Sequence, residues 1–209
     1  LAAAWVTVAG VVLLTQTLPA WNEALMYRRE AVEGGEVWRL LGCHVAHCGW
    51  RHTLMDLGCF VLLSWLTLAR PWATLVAGLL AAVASGLSIH WAAGHVDSYC
   101  GLSDVNYGLL GLLLVDRMSR AWRRPPAEQG PAAPSPWPVR AWALVWLAAL
   151  VAMMVKVLVE TATGTVMVNY GLPPGTVVVG AAHLAGLLAG VLAAMVVRGR
   201  GVVLPAETV

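Results

Sequence analysis

Six separated apolar blocks, each close to the length of one bilayer crossing, constrain this chain more than any other feature it has. A helix rises about 1.5 Å per residue, so about 20 residues cross a hydrocarbon layer about 30 Å thick. On that yardstick the spans fall at roughly 1–19, 49–69, 72–91, 102–115, 139–159 and 177–197. With 59% hydrophobic and 11% charged residues, the chain carries too little charge to cover a soluble domain of 209 residues. The expected fold is therefore an all-α polytopic membrane bundle of six transmembrane helices, forming a single domain over 1–209. Its fourth helix is short and central, and a Pro-rich linker covers 125–138. The first block opens at Leu1 with no methionine and no basic flank, which reads as a trimmed chain. A net charge of +2 with no basic patch excludes nucleic acid as a partner and leaves the lipid bilayer as the surroundings.

Arginines orient the spans. Arg70, then Arg117, Arg120, Arg123, Arg124 and Arg140, then Arg198 and Arg200 follow spans two, four and six, so those ends and both termini are expected in the cytoplasm. The loop from Trp21 to about Trp50 mixes Arg28, Arg29 and Arg39 with four glutamates and suits the outer side. Lys156, near the outer end of span five, is expected to snorkel toward the interface. Of the four cysteines, Cys43, Cys48 and Cys100 lie on the outer side. They are read either as unpaired small apolar residues or as a disulfide from Cys100 to Cys43 or Cys48.

Polar groups within apolar spans are expensive, so each is a candidate for function. Span six, VVVGAAHLAGLLAGVLAAMVV, holds His183 as its sole polar side chain. Span four opens GLSDVNYGLLG, with Ser103, Asp104, Asn106 and Tyr107, and span two opens RHTLMDL, with His52 and Asp56. Counted up from Arg117, Arg198 and Arg70, residues Ser103, His183 and Asp56 all lie roughly 21–22 Å above the inner boundary. Three spans thus bring polar groups to one depth. Span four is too short to cross fully, so its start must end within protein or a water-filled cavity.

A serine hydroxyl becomes nucleophilic when a neighbouring neutral imidazole takes its proton. Ser103 and His183 form such a pair, a dyad without a third carboxylate, since span six carries no acid. Ser103 also opens a helix, where free N–H groups favour a developing oxyanion. His52 and Asp56 are candidate donors to that oxyanion hole. Gly101 permits close backbone approach, and Gly186 with Gly190, spaced GxxxG, lets span six pack tightly, with span four as the expected neighbour. Each feature has a plainer reading: Ser103 and Asp104 as helix caps, His183 as a packing histidine. His44, His47 and His52 do not share one helical face, so no metal and no cofactor are expected. A small transporter or channel is disfavoured, with neither paired broken helices nor a ring of like charges in view.

In order and spacing, Trp38-Arg39 followed by His47 and His52, then Gly101-Leu-Ser103 with Tyr107, then Ala182-His183-Leu-Ala-Gly186 resembles the rhomboid intramembrane proteases. The resemblance spans the six-helix core and implies Ser103 as nucleophile, His183 as general base, Tyr107 packed on the His183 ring and His52 at the oxyanion hole. The activity it implies is that of a serine endopeptidase cleaving membrane-anchored proteins near the outer face. WRLL from Trp38, YxGLS from Tyr99 to Ser103, and Gly108 are similar to the rhombosortase branch. That branch implies a bacterial inner membrane and C-terminally anchored substrates whose sorting tails are removed. Two residues depart from the family pattern: Asp104 replaces its glycine after the serine, and Asp56 its span-two asparagine. An ionised carboxylate beside an oxyanion would repel it, while burial favours a protonated, donating carboxyl. Asp104 is also expected to crowd the entry of a substrate carbonyl. The alternative is thus an inactive rhomboid-like protein that binds membrane clients.

Overall fold

A computed structural model describes residues 2–123, 137–164 and 179–199. Arg124, Arg200 and residues 125–136 of the expected linker lie outside the described residues. The described chain is mostly helical: α1 (Ala2–Thr17), α2 (Pro19–Leu25), α3 (Arg29–Glu33), α4 (Arg39–Gly42), α5 (Trp50–Leu66), α6 (Pro71–Trp91), α7 (Ser103–Arg123), α8 (Trp137–Thr163) and α9 (Gly180–Gly199). Two short strands, β1 (Tyr27–Arg28) and β2 (Ser98–Tyr99), pair antiparallel with Tyr27 opposite Tyr99.

Three helices, Pro71–Trp91, Ala141–Thr163 and Gly180–Val197, are long and apolar enough to cross a membrane. A fourth joins them if Ala3–Thr17 and Pro19–Leu25, bent by 114° at Leu18, form one span. The protein is an integral membrane protein. Tryptophans Trp72 and Trp91 stand 67% and 73% exposed at the two ends of α6. Amphipathic rings favour that position between headgroup and hydrocarbon.

The fourth helix is not short. It runs 21 residues from Ser103 to Arg123, well past the expected end at 115. The expected inner boundary sits at Arg117, and the Asp116 carboxylate beside it is paired where it stands. Arg70 Nε lies 3.0 Å from one oxygen and Arg120 Nε 2.7 Å from the other. Paired in this way, the charges let the helix continue.

This helix is the hub of the bundle, packing against α5, α6, α8 and α9. Leu109 and Leu112 of α7 sit in a core with Phe60 of α5, Ala73 and Ala77 of α6, and Ala193 and Ala194 of α9. Small residues set the spacing. A Cβ on Gly186 would overlap the Asp104 carbonyl oxygen, and one on Gly190 would overlap that of Gly108. On its other face, a Cβ on Gly108 would overlap Ala81 of α6. Backbones this close gain dispersion contacts that larger side chains forbid.

The segment preceding α5 is a folded cap. Arg29 reaches across to the end of α6, where its guanidinium donates to the carbonyls of Ile89 (3.1 Å), His90 (2.8 Å), Ala93 (2.9 Å) and Val96 (3.2 Å). The Ile89 and His90 carbonyls are among those the C-terminus of α6 leaves without intrahelical partners, and Ala93 and Val96 follow in the chain leaving it. Arg39 pairs with Glu36 and donates to the carbonyls of Glu23 and Met26, both at 2.7 Å. Both arginines are structural staples rather than loose surface charges. A Cys48–Cys100 disulfide ties this cap to the residues before α7, while Cys43 and Cys59 are free thiols.

The close approach of α9 to α7 yields a direct expectation. Replacing Gly190 by leucine forces the helices apart. It should cost at least about 1–3 kcal/mol of stability, read as a lower thermal midpoint in detergent, whereas leucine at the uncrowded Gly58 should leave that midpoint unchanged.

Candidate active site

Ser103 is the first residue of α7, and the chain enters it through Gly101, whose φ of 131° lies in the left-handed region that favours glycine. A Cβ there would also press on the His52 ring, 2.8 Å from Cε1, and on Asp56 Oδ2 at 3.2 Å. The glycine thus serves both a turn and a close approach. The Gly101 N–H donates to the Cys43 carbonyl at 3.0 Å, and the Leu102 N–H to Asp56 Oδ2 at 2.8 Å. Asn106 Nδ2 donates to the Asp56 carbonyl at 2.9 Å, fixing α7 against α5.

From α9, His183 brings its Nε2 to 3.0 Å from Ser103 Oγ, within hydrogen-bond distance. Its ring stacks on Tyr107, one turn below the serine, with centroids 4.4 Å apart and planes 24° from parallel. The glycines that let α9 approach α7 lie one and two turns below His183. The ring's other nitrogen, Nδ1, is buried with no hydrogen-bond partner.

His52 and Asp56 face this pair from α5. The Asp56 carboxylate acts as an acceptor: its Oδ2 takes the Leu102 N–H and lies 3.4 Å from both His47 Nε2 and His52 Nε2. That oxygen is a hub joining two imidazoles to the backbone entering α7. Among the described residues, Cys48, His52 and Cys100 have ligand atoms close enough to hold a metal, but the two sulfurs are bonded to each other.

Asp104 does not project into the space before Ser103. It is fully buried, with Oδ1 3.1 Å from His44 Nδ1 and accepting the Val105 N–H at 2.9 Å. His44 Nε2 in turn lies 2.8 Å from the Ala82 carbonyl oxygen. Both ring nitrogens face acceptors, so the ring satisfies both only as a doubly protonated imidazolium. Burial by itself would lower the His44 pKa, but the Asp104 carboxylate outweighs it and holds the pKa well above the usual imidazole range.

Two residues near the site were not expected there. Lys156 of α8 turns inward instead of snorkelling, donating to Tyr107 OH at 2.7 Å and to both Glu160 oxygens at 2.8 and 2.7 Å. Glu160, buried, places its Oε2 3.9 Å from His183 Nδ1. A carboxylate therefore does stand near the ring, contributed by α8 rather than by the helix that carries His183. Its signal was an acid and a base four residues apart in the outer half of a largely apolar helix.

Compared with known families, residues 34–200 match the family model described as Rhomboid domain, well over half of the chain. No curated protein and no solved structure matches significantly.

The raised His44 pKa fixes a sign. A group whose pKa is higher folded than unfolded contributes stability that is fully present below the unfolded value and is lost as pH rises through the folded one. The thermal midpoint in detergent should therefore fall as pH climbs from the usual imidazole range through the raised His44 value, and His44→Gln should flatten that dependence. A wild-type midpoint independent of pH in this window would contradict the imidazolium assignment.

Proposed function

Since the chain belongs to the rhomboid family, whose members are intramembrane serine proteases acting on membrane proteins within the bilayer, we propose that it is a serine endopeptidase using Ser103 and His183. The observation that carries this reading is the 3.0 Å contact between Ser103 Oγ and His183 Nε2 at the start of a helix.

In this reading His183 Nε2 takes the Ser103 proton as Oγ attacks the scissile carbonyl. The carbonyl oxygen becomes an oxyanion facing the α7 N-terminus, where the helix dipole is positive. His52 donates to that oxygen, and Asp56 orients His52 through its 3.4 Å contact while accepting the Leu102 N–H. Asp56 thus acts through His52 rather than as a donor itself. His183 returns the proton to the leaving amine, and water then hydrolyses the acyl-enzyme with the same base. Tyr107 fixes the plane of the imidazole by stacking, and Gly186 and Gly190 hold α9 close enough for the pair to meet.

Asp104 bears on the choice between protease and inactive client-binder. Its carboxylate is turned to His44, where an imidazolium compensates its charge. The repulsion that would disable an oxyanion hole is thereby offset, which favours catalysis. The single domain is read as crossing the membrane six times with both termini in the cytoplasm, α5 and α7 supplying the further crossings. Trp38-Arg39-Leu-Leu, Tyr99 with Gly101-Leu-Ser103, and Gly108 support the rhombosortase branch, with C-terminally anchored or single-span substrates in a bacterial inner membrane.

A fluorophosphonate probe applied to the detergent-solubilised protein should label the wild type. Ser103→Ala should abolish labelling, and His183→Ala should reduce it by at least about 100-fold. Absence of labelling in folded wild-type protein would leave client binding as the surviving function.

A further inference from the structure

Glu160 has no place in a two-residue mechanism, yet it is 1% exposed and sits beside the His183 ring. For Nε2 to accept the Ser103 proton, the resting imidazole must carry its own proton on Nδ1. That nitrogen is buried, makes no hydrogen bond, and has Glu160 Oε2 facing it at 3.9 Å. The gap exceeds a hydrogen bond by about 1 Å, a movement well within the tightening that catalytic contacts undergo when substrate binds.

We propose that Glu160 is a positioning residue for His183, holding its Nδ1 tautomer and stabilising the imidazolium formed when Ser103 loses its proton. The inference rests on the protease reading above. The proton passes from Ser103 Oγ to His183 Nε2 and later to the leaving amine, while the Nδ1 proton stays on the ring and the carboxylate remains ionised throughout. Lys156 makes this arrangement stable. Its ammonium binds both Glu160 oxygens, so the carboxylate is not left as a lone buried charge, and it also donates to Tyr107 OH. One lysine thereby holds both the carboxylate beside the ring edge and the phenol stacked on the ring face. An ion pair serving only to pack α8 would have no reason to join both neighbours of the same imidazole.

The test follows fluorophosphonate reaction rates across the imidazole titration range. It compares the full-length wild type, Glu160→Gln, and the double variant Lys156→Met with Glu160→Gln, which leaves no buried charge unpaired should the single variant fail to fold. The other titratable groups around His183, namely Asp104 and Tyr107 on α7 and His52 on α5, are unchanged in both variants. The expected result is a rate about 10- to 100-fold lower, with the acidic limb of the profile moved to lower pH because the carboxylate favouring the imidazolium is gone. Mere loosening of the bundle would reduce the labelled fraction without moving that midpoint. An unchanged rate and midpoint in a folded variant would overturn the role of Glu160 while leaving the protease reading intact. A wild type that never labels would remove both. A measurement on the unmutated protein is independent of folding in the variants: in the phosphonylated adduct, the Nδ1 proton of ¹⁵N-labelled His183 should resonate far downfield, as in a hydrogen bond to a carboxylate. Its appearance at the position of a free imidazolium would count against the proposal.

Discussion

The approach of α9 to α7 without side chains between their backbones is the constraint on which the rest of this structure depends. Ser103 and His183 are 80 residues apart in sequence and are carried by separate helices. Their contact requires interaxial separation below that of ordinary leucine-lined packing, and the glycines at 186 and 190 provide it. Gly108, which faces Ala81 on α6, repeats the device on the opposite side of α7. The serine is thus held by a helix wedged tightly on two sides, so its position is determined by rigid packing rather than by a loop.

The second organising fact is how charge is handled in the interior. Each buried ion among the described residues near the site has a partner from another turn or another helix: Asp104 with His44, Glu160 with Lys156, and Asp56 with two imidazoles and a backbone N–H. Pairing of this kind is weak as a source of stability, because desolvation offsets much of the attraction. Its value is directional. Each pair fixes which atoms face the serine and which face away. The buried Asp104 carboxylate meets His44, which the segment preceding α5 delivers to it.

Much of this was legible in the chain. His183 stood out as the sole polar side chain of span six, Ser103 as one of the polar residues opening span four, and Gly186 and Gly190 because their spacing places them on one helical face. The apolar blocks at 72–91 and 177–197 fall on Pro71–Trp91 and Gly180–Val197, two of the helices long and apolar enough to cross a membrane. What escaped did so for physical reasons. Glu160 lies one residue beyond the span expected at 139–159, and Lys156 read as a charge snorkelling to the interface. Only tertiary contact reveals that the pair points inward. The length of α7 was underestimated because Arg117 marks the inner boundary in sequence, whereas Arg70 and Arg120 pair with Asp116 in space and the helix runs on to Arg123. Spacing alone left Cys43 and Cys48 equivalent as candidate partners for Cys100. The two-residue strands β1 and β2 are too short to carry any periodicity at all.

The tryptophans at the ends of α6 act as a ruler. Nineteen residue steps separate Trp72 from Trp91, about 28 Å along a helix axis, close to the roughly 30 Å depth of a hydrocarbon layer. With a ring at each end, α6 matches the depth of such a layer with little length to spare. Lipids with longer acyl chains must shorten their reach around the bundle, and the protein carries with it a collar of bilayer fitted to its own height.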